Sequence, residues 1–201
     1  MKIWHIIILI LTICCVGCQL PSNSSEFINN EDSIHQVDTL LEKGFSDYRD
    51  TLLKKFSETS IRELDFPAFH FMYYSAFECG KSIKFEKLNP DDYRLTVKCI
   101  FGNDSLFECN NYQIKITRFE WEEFQRLVDE YDFWIEEPFR YNRTLDGYTA
   151  TLEGFRPKAE KYNAKAYKFV GRKNPDKDKI GSLFNEIFYY EESIYFKYHQ
   201  E

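Results

Sequence analysis

Four side chains in the C-terminal half, Trp134, Asp146, Glu153 and Arg172, are of types that could line a polar pocket. Arg172 would supply the recognition chemistry, because a planar guanidinium can clamp a carboxylate through two parallel hydrogen bonds. The competing structural reading makes Asp146-Gly147 a turn, pairs Glu153 with Arg172 across neighbouring strands and buries Trp134 in the core, and the balance favours it. The acids Glu122-Glu123, Asp129-Glu130 with Asp132, and Glu136-Glu137 invite acid-base or calcium chemistry. Catalytic carboxylate pairs are defined by separation in space, however, and no Asp-x-Asp-x-Asp-Gly calcium loop is present, so these acids read as a solvated helix face. His70 lies in an aromatic run and no Gly-x-Ser-x-Gly elbow accompanies it; it reads as structural. Cys79, Cys99 and Cys109 are not spaced as Cys-x-x-Cys, and His35, His70 and His199 are scattered, so no zinc site and no cofactor are expected.

Residues 33–201, read as a single α+β domain, must position these groups. Ile34, Val37, Leu41, Phe45, Tyr48, Leu52 and Phe56 recur at three- and four-residue steps, which predicts a helix with Ser33 as its N-cap. Gly44 inside it costs about 1 kcal/mol relative to Ala, so that helix depends on packing. An aromatic run over 69–77 predicts a buried strand. Ile83 and Phe85 oppose Lys84 and Glu86 in a strand over 82–88, Asn89-Pro90-Asp91-Asp92 makes a turn, and Tyr93, Leu95, Val97 and Cys99 alternate with polar residues. Residues 112–116 alternate likewise. Thr117 with Glu120 forms a capping box opening a helix over 117–131, with Trp121, Phe124, Leu127, Val128 and Tyr131 as its apolar stripe. Strands around Tyr148, Ala150 and Leu152 and around Tyr167 and Phe169 flank a basic loop at 156–165, and a helix over 179–190 closes the chain. The sum is an antiparallel sheet with helices packed on one side. Cys99 and Cys109 could face each other across a hairpin turning at Gly102-Asn103-Asp104; a Cys79–Cys99 bridge and three buried thiols remain alternatives.

Residues 69–188 resemble a family of small uncharacterised bacterial proteins in Phe133-Trp134 with Pro138, in Asp146-Gly147 followed by Leu152-Glu153, and in Arg172 with Pro175. One extra residue separates Trp134 from Pro138, Ala150 stands where Trp is usual, and Lys173-Asn174 replace Trp-Ser. The resemblance implies a fold and brings no activity.

The N-terminus carries a second resemblance. Lys2 precedes an apolar run over 6–16, shorter than the roughly 20 residues of a membrane span and of the length of an export signal's core. Gly17-Cys18 at its end resembles the lipobox of bacterial lipoproteins, with Cys15 where that motif usually carries Leu, Val or Ile. The resemblance implies a signal peptide over 1–17, a diacylglycerol on the Cys18 thiol and a flexible lipidated tether over 18–32. Stable anchoring takes more than one acyl chain, which this processing supplies.

Removing a leader that holds Lys2 and no acid shifts the formal net charge from −7 to −8. Nucleic-acid binders need a basic face to displace counterions, so no nucleic-acid partner is expected, and the lipid rather than a basic patch would hold the membrane. Aromatic residues make up 18% of the chain, and Tyr and Trp are enriched at recognition surfaces. The sequence therefore predicts a non-enzymatic, lipid-anchored protein-binding module of the bacterial cell envelope, at the outer membrane and facing periplasm or surface. An immunity-like role against a basic exported protein fits that class. The rivals are an envelope hydrolase or transferase with no recognisable motif, and a structural lipoprotein of a surface complex. A Cys18→Ala chain should lose fatty-acid labelling in its host and stay as precursor or turn soluble; labelling that persists would refute the anchor.

Overall fold

Two helix ends show how short signals aim this chain. A computed structural model describes residues 30–75, 80–100, 110–141, 147–157, 166–175 and 178–200. The first helix, α1 (Asn30–Phe56), stops at Ser57, whose φ of 52° places it in the left-handed region. The Ser57 amide then donates to the Lys54 carbonyl and the Glu58 amide to the Leu53 carbonyl, the paired bonds of a Schellman turn. The second helix, α2 (Arg118–Glu130), ends the same way at Asp132, with φ 55° and the Phe133 amide donating to the Val128 carbonyl. One turn delivers Glu58 to the sheet, the other delivers Phe133 to the core. Contacts divide the chain into Met1–Val37 and Asp38–Glu201; only the opening turns of α1 are described in the former, and the sheet belongs to the latter.

The strands are β1 (Ala68–Ser75), β2 (Gly80–Asn89), β3 (Asp92–Ile100), β4 (Tyr112–Ile116), β5 (Phe139–Tyr141), β6 (Tyr148–Arg156) and β7 (Ala166–Lys173), followed by α3 (Lys179–His199). They form one seven-stranded sheet in the order β4-β3-β2-β1-β6-β7-β5. The α+β class holds. The sheet is mixed, because β5 runs parallel to β7 while the other pairs are antiparallel. At three residues, β5 is too short for alternation to reveal. The turn at Asn89 is as expected, its Oδ1 accepting from the Asp91 amide at 3.1 Å. So is the capping box: Thr117 Oγ1 accepts from the Glu120 amide at 3.2 Å and Glu120 Oε2 from the Thr117 amide at 2.6 Å. The last helix runs to His199 rather than 190, because Ile194 extends the buried stripe past the buried, polar Glu191.

Alternation sends Phe69 and Phe71 to one face of β1 and Ala68, His70 and Met72 to the other. The first face packs on α2 and α3: Phe124 stacks on Phe85 with ring centroids 3.8 Å apart and meets Phe69 edge-on at 5.4 Å, and Phe71 meets Phe184 at 5.1 Å. Across the sheet, Met72 packs with Leu52, Leu53 and Phe56 of α1, and Ala68 and Phe155 pack with Ile61, which lies in a 3-10 turn (Ile61–Glu63). Helices thus cover both faces, and the expected one-sided packing does not hold. The unbroken burial of residues 68–72 and 150–155 is the mark of strands covered twice. Among the described residues no helix is long and apolar enough to cross a membrane.

Phe124 is fully buried between Phe85 and Phe69, so Phe124→Ala should cost about 3–5 kcal/mol. Urea unfolding checks this; a loss below about 1 kcal/mol would show that the aromatic layer collapses into the vacancy.

Candidate functional site

Polar side chains reach the α1 face in a row that crosses three strands and ends against Phe169 of a fourth. Lys84 stands opposite His70, His70 opposite Glu153, and Glu153 opposite Phe169. His70 is fully buried, its Nε2 lies 2.7 Å from Ser82 Oγ, and its Nδ1 has no hydrogen-bond partner among the described residues. Burial pushes its pKa from 6.5 down to about 3, with nearby Glu58 opposing and Lys84 and Lys98 reinforcing the shift. The ring is neutral. Glu58 sits 2.8 Å from Lys84 Nζ and 2.6 Å from Lys98 Nζ. Burial works to raise its pKa, but the two ammonium groups prevail and hold it below the usual carboxylate value.

Glu153 is fully buried too. Its Oε1 accepts from the Tyr167 hydroxyl at 3.1 Å and lies 3.3 Å from Arg49 Nε, and the Ser60 hydroxyl donates to Oε2 at 3.5 Å. Burial raises its pKa in spite of Arg49, Tyr167 and the Ile61 amide. This carboxyl group seats α1 and the 3-10 turn on the sheet.

Arg172 lies on the opposite face, where it is 1% exposed. Its Nε donates to Asp178 Oδ2 at 2.9 Å, Nη1 to the Pro138 and Gly171 carbonyls at 3.1 and 3.0 Å, and Nη2 to the Glu137 carbonyl at 2.9 Å. A single hydrogen bond therefore joins Arg172 to a carboxylate, that of the chain's own Asp178, which also caps α3 by accepting from the Gly181 amide at 2.6 Å. Trp134 donates from Nε1 to Asp129 Oδ1 at 3.0 Å, and the Arg156 guanidinium lies 4.4 Å from its ring centre. Trp134 and Arg172 thus share a face, each with its own partners, Glu153 is on the other face, and Asp146 lies outside the described residues. Trp134, Glu153 and Arg172 are not gathered into one pocket. Nor are Glu153 and Arg172 cross-strand partners, since Arg172 stands opposite Ala150.

Cys99 is disulfide-bonded; Cys79 and Cys109 lie outside the described residues, as does Cys18. Among the described residues no three His, Cys, Asp or Glu side chains gather in a metal-holding group.

The outer surface of α2 and α3 is different in kind. Contacts from Lys197 Nζ and the Tyr198 hydroxyl to Glu120, at 2.7 and 3.0 Å, and from the Tyr190 hydroxyl to the Glu120 carbonyl at 2.6 Å, set the start of α2 beside the end of α3. Between the helices runs an open groove of about 320 Å³, lined by Glu123, Arg126 and Glu130 on one wall and Glu186 and Tyr189 on the other. Helical spacing continues the first wall to Phe119 and the second to Phe196. Phe119, Tyr189 and Phe196 are 66%, 65% and 58% exposed, and Arg126 is tied up by Glu130 at 2.6 Å and Glu123 at 3.9 Å. The solvated acids expected from sequence divide here, because Glu136 and Glu137 lie away from the groove and face Arg140. Sequence reasoning singles out neither Tyr189 nor Phe196. Their signal is the i, i+7 spacing of two large aromatics off the buried stripe.

The chain matches no protein-family model and none of the curated proteins compared with it.

The buried histidine makes a pH test. Between 6.5 and about 3 the unfolded chain binds a proton at His70 that the folded chain refuses, so stability rises with pH across this window and is lost as pH falls, by about 1.4 kcal/mol per pH unit. His70→Gln should flatten a series of urea midpoints by that slope; an unchanged slope would mean that the folded ring accepts the proton.

Proposed function

We propose that this chain is a lipoprotein of the bacterial envelope, anchored through Cys18, that works without catalysis by binding a basic protein in the groove between α2 and α3. The observation that carries the reading is the exposure of Tyr189 in a groove rich in acid, with exposed Phe119 and Phe196 at helical spacing beyond its walls. Buried aromatic anchors dominate the energetics of protein interfaces, and exposed ones at helical spacing are ready to play that part. Glu123, Glu130 and Glu186 against a single paired arginine leave the groove negative, which speeds encounter with a cationic partner and repels polyanions such as nucleic acid. The groups that could have done chemistry support the reading in another way, for Glu153, Arg172 and Trp134 are engaged with the chain's own atoms. An immunity-like role, neutralising a basic exported protein at the membrane, is the form of binding that suits an acidic groove on a lipid tether.

A photo-crosslinking amino acid at Ser193, which lines the groove, should trap a protein partner in the native host. Reversing Glu123, Glu130 and Glu186 to Lys together should cut the adduct about tenfold, as should raised salt. An adduct indifferent to both changes would remove the electrostatic account, and the absence of any adduct would remove the groove as the binding surface.

A further inference from the structure

The two walls of the α2–α3 groove repeat one spacing. On α2 they are Glu123, Arg126, Leu127 and Glu130. On α3 they are Glu186, Tyr189, Tyr190 and Ser193. Each set stands at i, i+3, i+4 and i+7, the positions that share one side of a helix. The helices run antiparallel: Glu120 near the start of α2 meets Lys197 and Tyr198 near the end of α3, while Asp132, just past the end of α2, pairs with Lys179 at the start of α3. The groove therefore follows both axes for about two turns, roughly 10 Å, between matched helical stripes.

Floor and rims differ in chemistry. Leu127 and Tyr190 are half-buried and pack against the core, and the Tyr190 hydroxyl is engaged by the Glu120 carbonyl at 2.6 Å, so the floor offers carbon. On the rims three carboxylates, Glu123, Glu130 and Glu186, share the groove with one guanidinium, Arg126. That guanidinium already lies 2.6 Å from Glu130 and 3.9 Å from Glu123. Three against one leaves a surplus of two negative charges in the groove. Exposed Tyr189 adds an aromatic ring to the α3 rim.

We infer that the segment seated in this groove is an amphipathic helix with basic flanks, packed as a third helix against α2 and α3. The inference rests on the groove being the binding surface proposed above, and it adds the form of what fills it. Backbone chemistry decides that form. The interior N–H and C=O groups of α2 and α3 are closed within their own helices, so the groove has no ladder to offer an extended segment, whose backbone groups would be left unpaired against an apolar floor. A helix closes its own, and its side chains enter between the two stripes as ridges into a groove. Its apolar stripe lies on Leu127, Tyr190 and the exposed ring of Tyr189. Lysine or arginine on either side of that stripe then meets Glu123 and Glu130 on one rim and Glu186 on the other.

Fluorescence anisotropy with the full chain in detergent tests it, each titration read against detergent alone. Three labelled peptides of about 18 residues, long enough to hold a helix, serve as probes. The first two share one composition of Leu, Lys and Ala, patterned at helical spacing in one and alternating at strand spacing in the other; the third keeps the helical pattern with Glu in place of Lys. The basic helical peptide should bind saturably with a dissociation constant of about 10 μM, about tenfold tighter than either of the others. Glu123→Lys with Glu130→Lys and Glu186→Lys should weaken it about tenfold. Glu42→Lys with Glu63→Lys and Asp65→Lys, an equal charge change among exposed residues on the α1 side of the sheet, should leave it intact. Thermal unfolding of each triple variant checks that the fold survives. Equal binding of the strand-patterned peptide would overturn the helix and leave the groove standing. Equal binding of the acidic helix, or equal weakening by the two triple variants, would unseat the acidic groove along with it. No saturable binding of the basic helical peptide would overturn the third helix alone, the groove itself being decided by the adduct at Ser193.

Discussion

The two middle strands, β1 and β6, are covered by protein on both faces, and from that constraint most of the molecule's polar architecture derives. His70, Thr151 and Glu153 are each fully buried there, where bulk water cannot satisfy a polar group and an unpaired one costs several kcal/mol, roughly 2–7. His70 meets Ser82 within the sheet, Thr151 Oγ1 has no hydrogen-bond partner among the described residues, and Glu153 draws its partners from what surrounds the strand. Glu153 recruits Arg49 from α1, Tyr167 from β7 and Ser60 from the segment before the 3-10 turn. A helix that apolar contacts alone would let slide is thereby held in one register.

Arg172 does the corresponding work on the opposite face. By donating to the carbonyls of Glu137, Gly171 and Pro138 and to Asp178, one side chain ties the entry to β5, the edge of β7 and the start of α3 to a single point. Burial opposes its charge, lowering its pKa although Asp178 works the other way. Such a group is retained where its hydrogen-bond geometry specifies an arrangement that apolar packing leaves loose. Here it secures a parallel strand pairing only three residues long.

With Glu153 and Arg172 occupied by the chain's own atoms, the recognition we propose falls to the surface. That surface runs between α2 and α3 and carries Glu123, Glu130, Glu186 and Tyr189.

Much of the fold was legible because its signals are local. The capping box at Thr117 and Glu120, the Asn89 turn and the alternation of Tyr93, Leu95 and Val97 each depend on residues within a few positions of one another, and physics at that range belongs to the sequence itself. The ends of α1 and α2 are less legible, since Ser57 and Asp132 take the left-handed conformation that glycine usually marks. The candidate site was legible only as residue types. Glu153 and Arg172 stand out in the sequence as a buried-strand acid and base, yet their faces, and so their inability to meet, depend on the register of β6 against β7. What the sequence determined by itself was the class, the helices and most strands, together with the leader-like N-terminus and the acidic balance. Tertiary structure alone decided that helices cover both faces, that β5 joins in parallel, and that Glu123 and Tyr189 share a groove. The reason is that such juxtapositions arise from pairings between residues far apart in the chain, whose energies appear only once the sheet has closed.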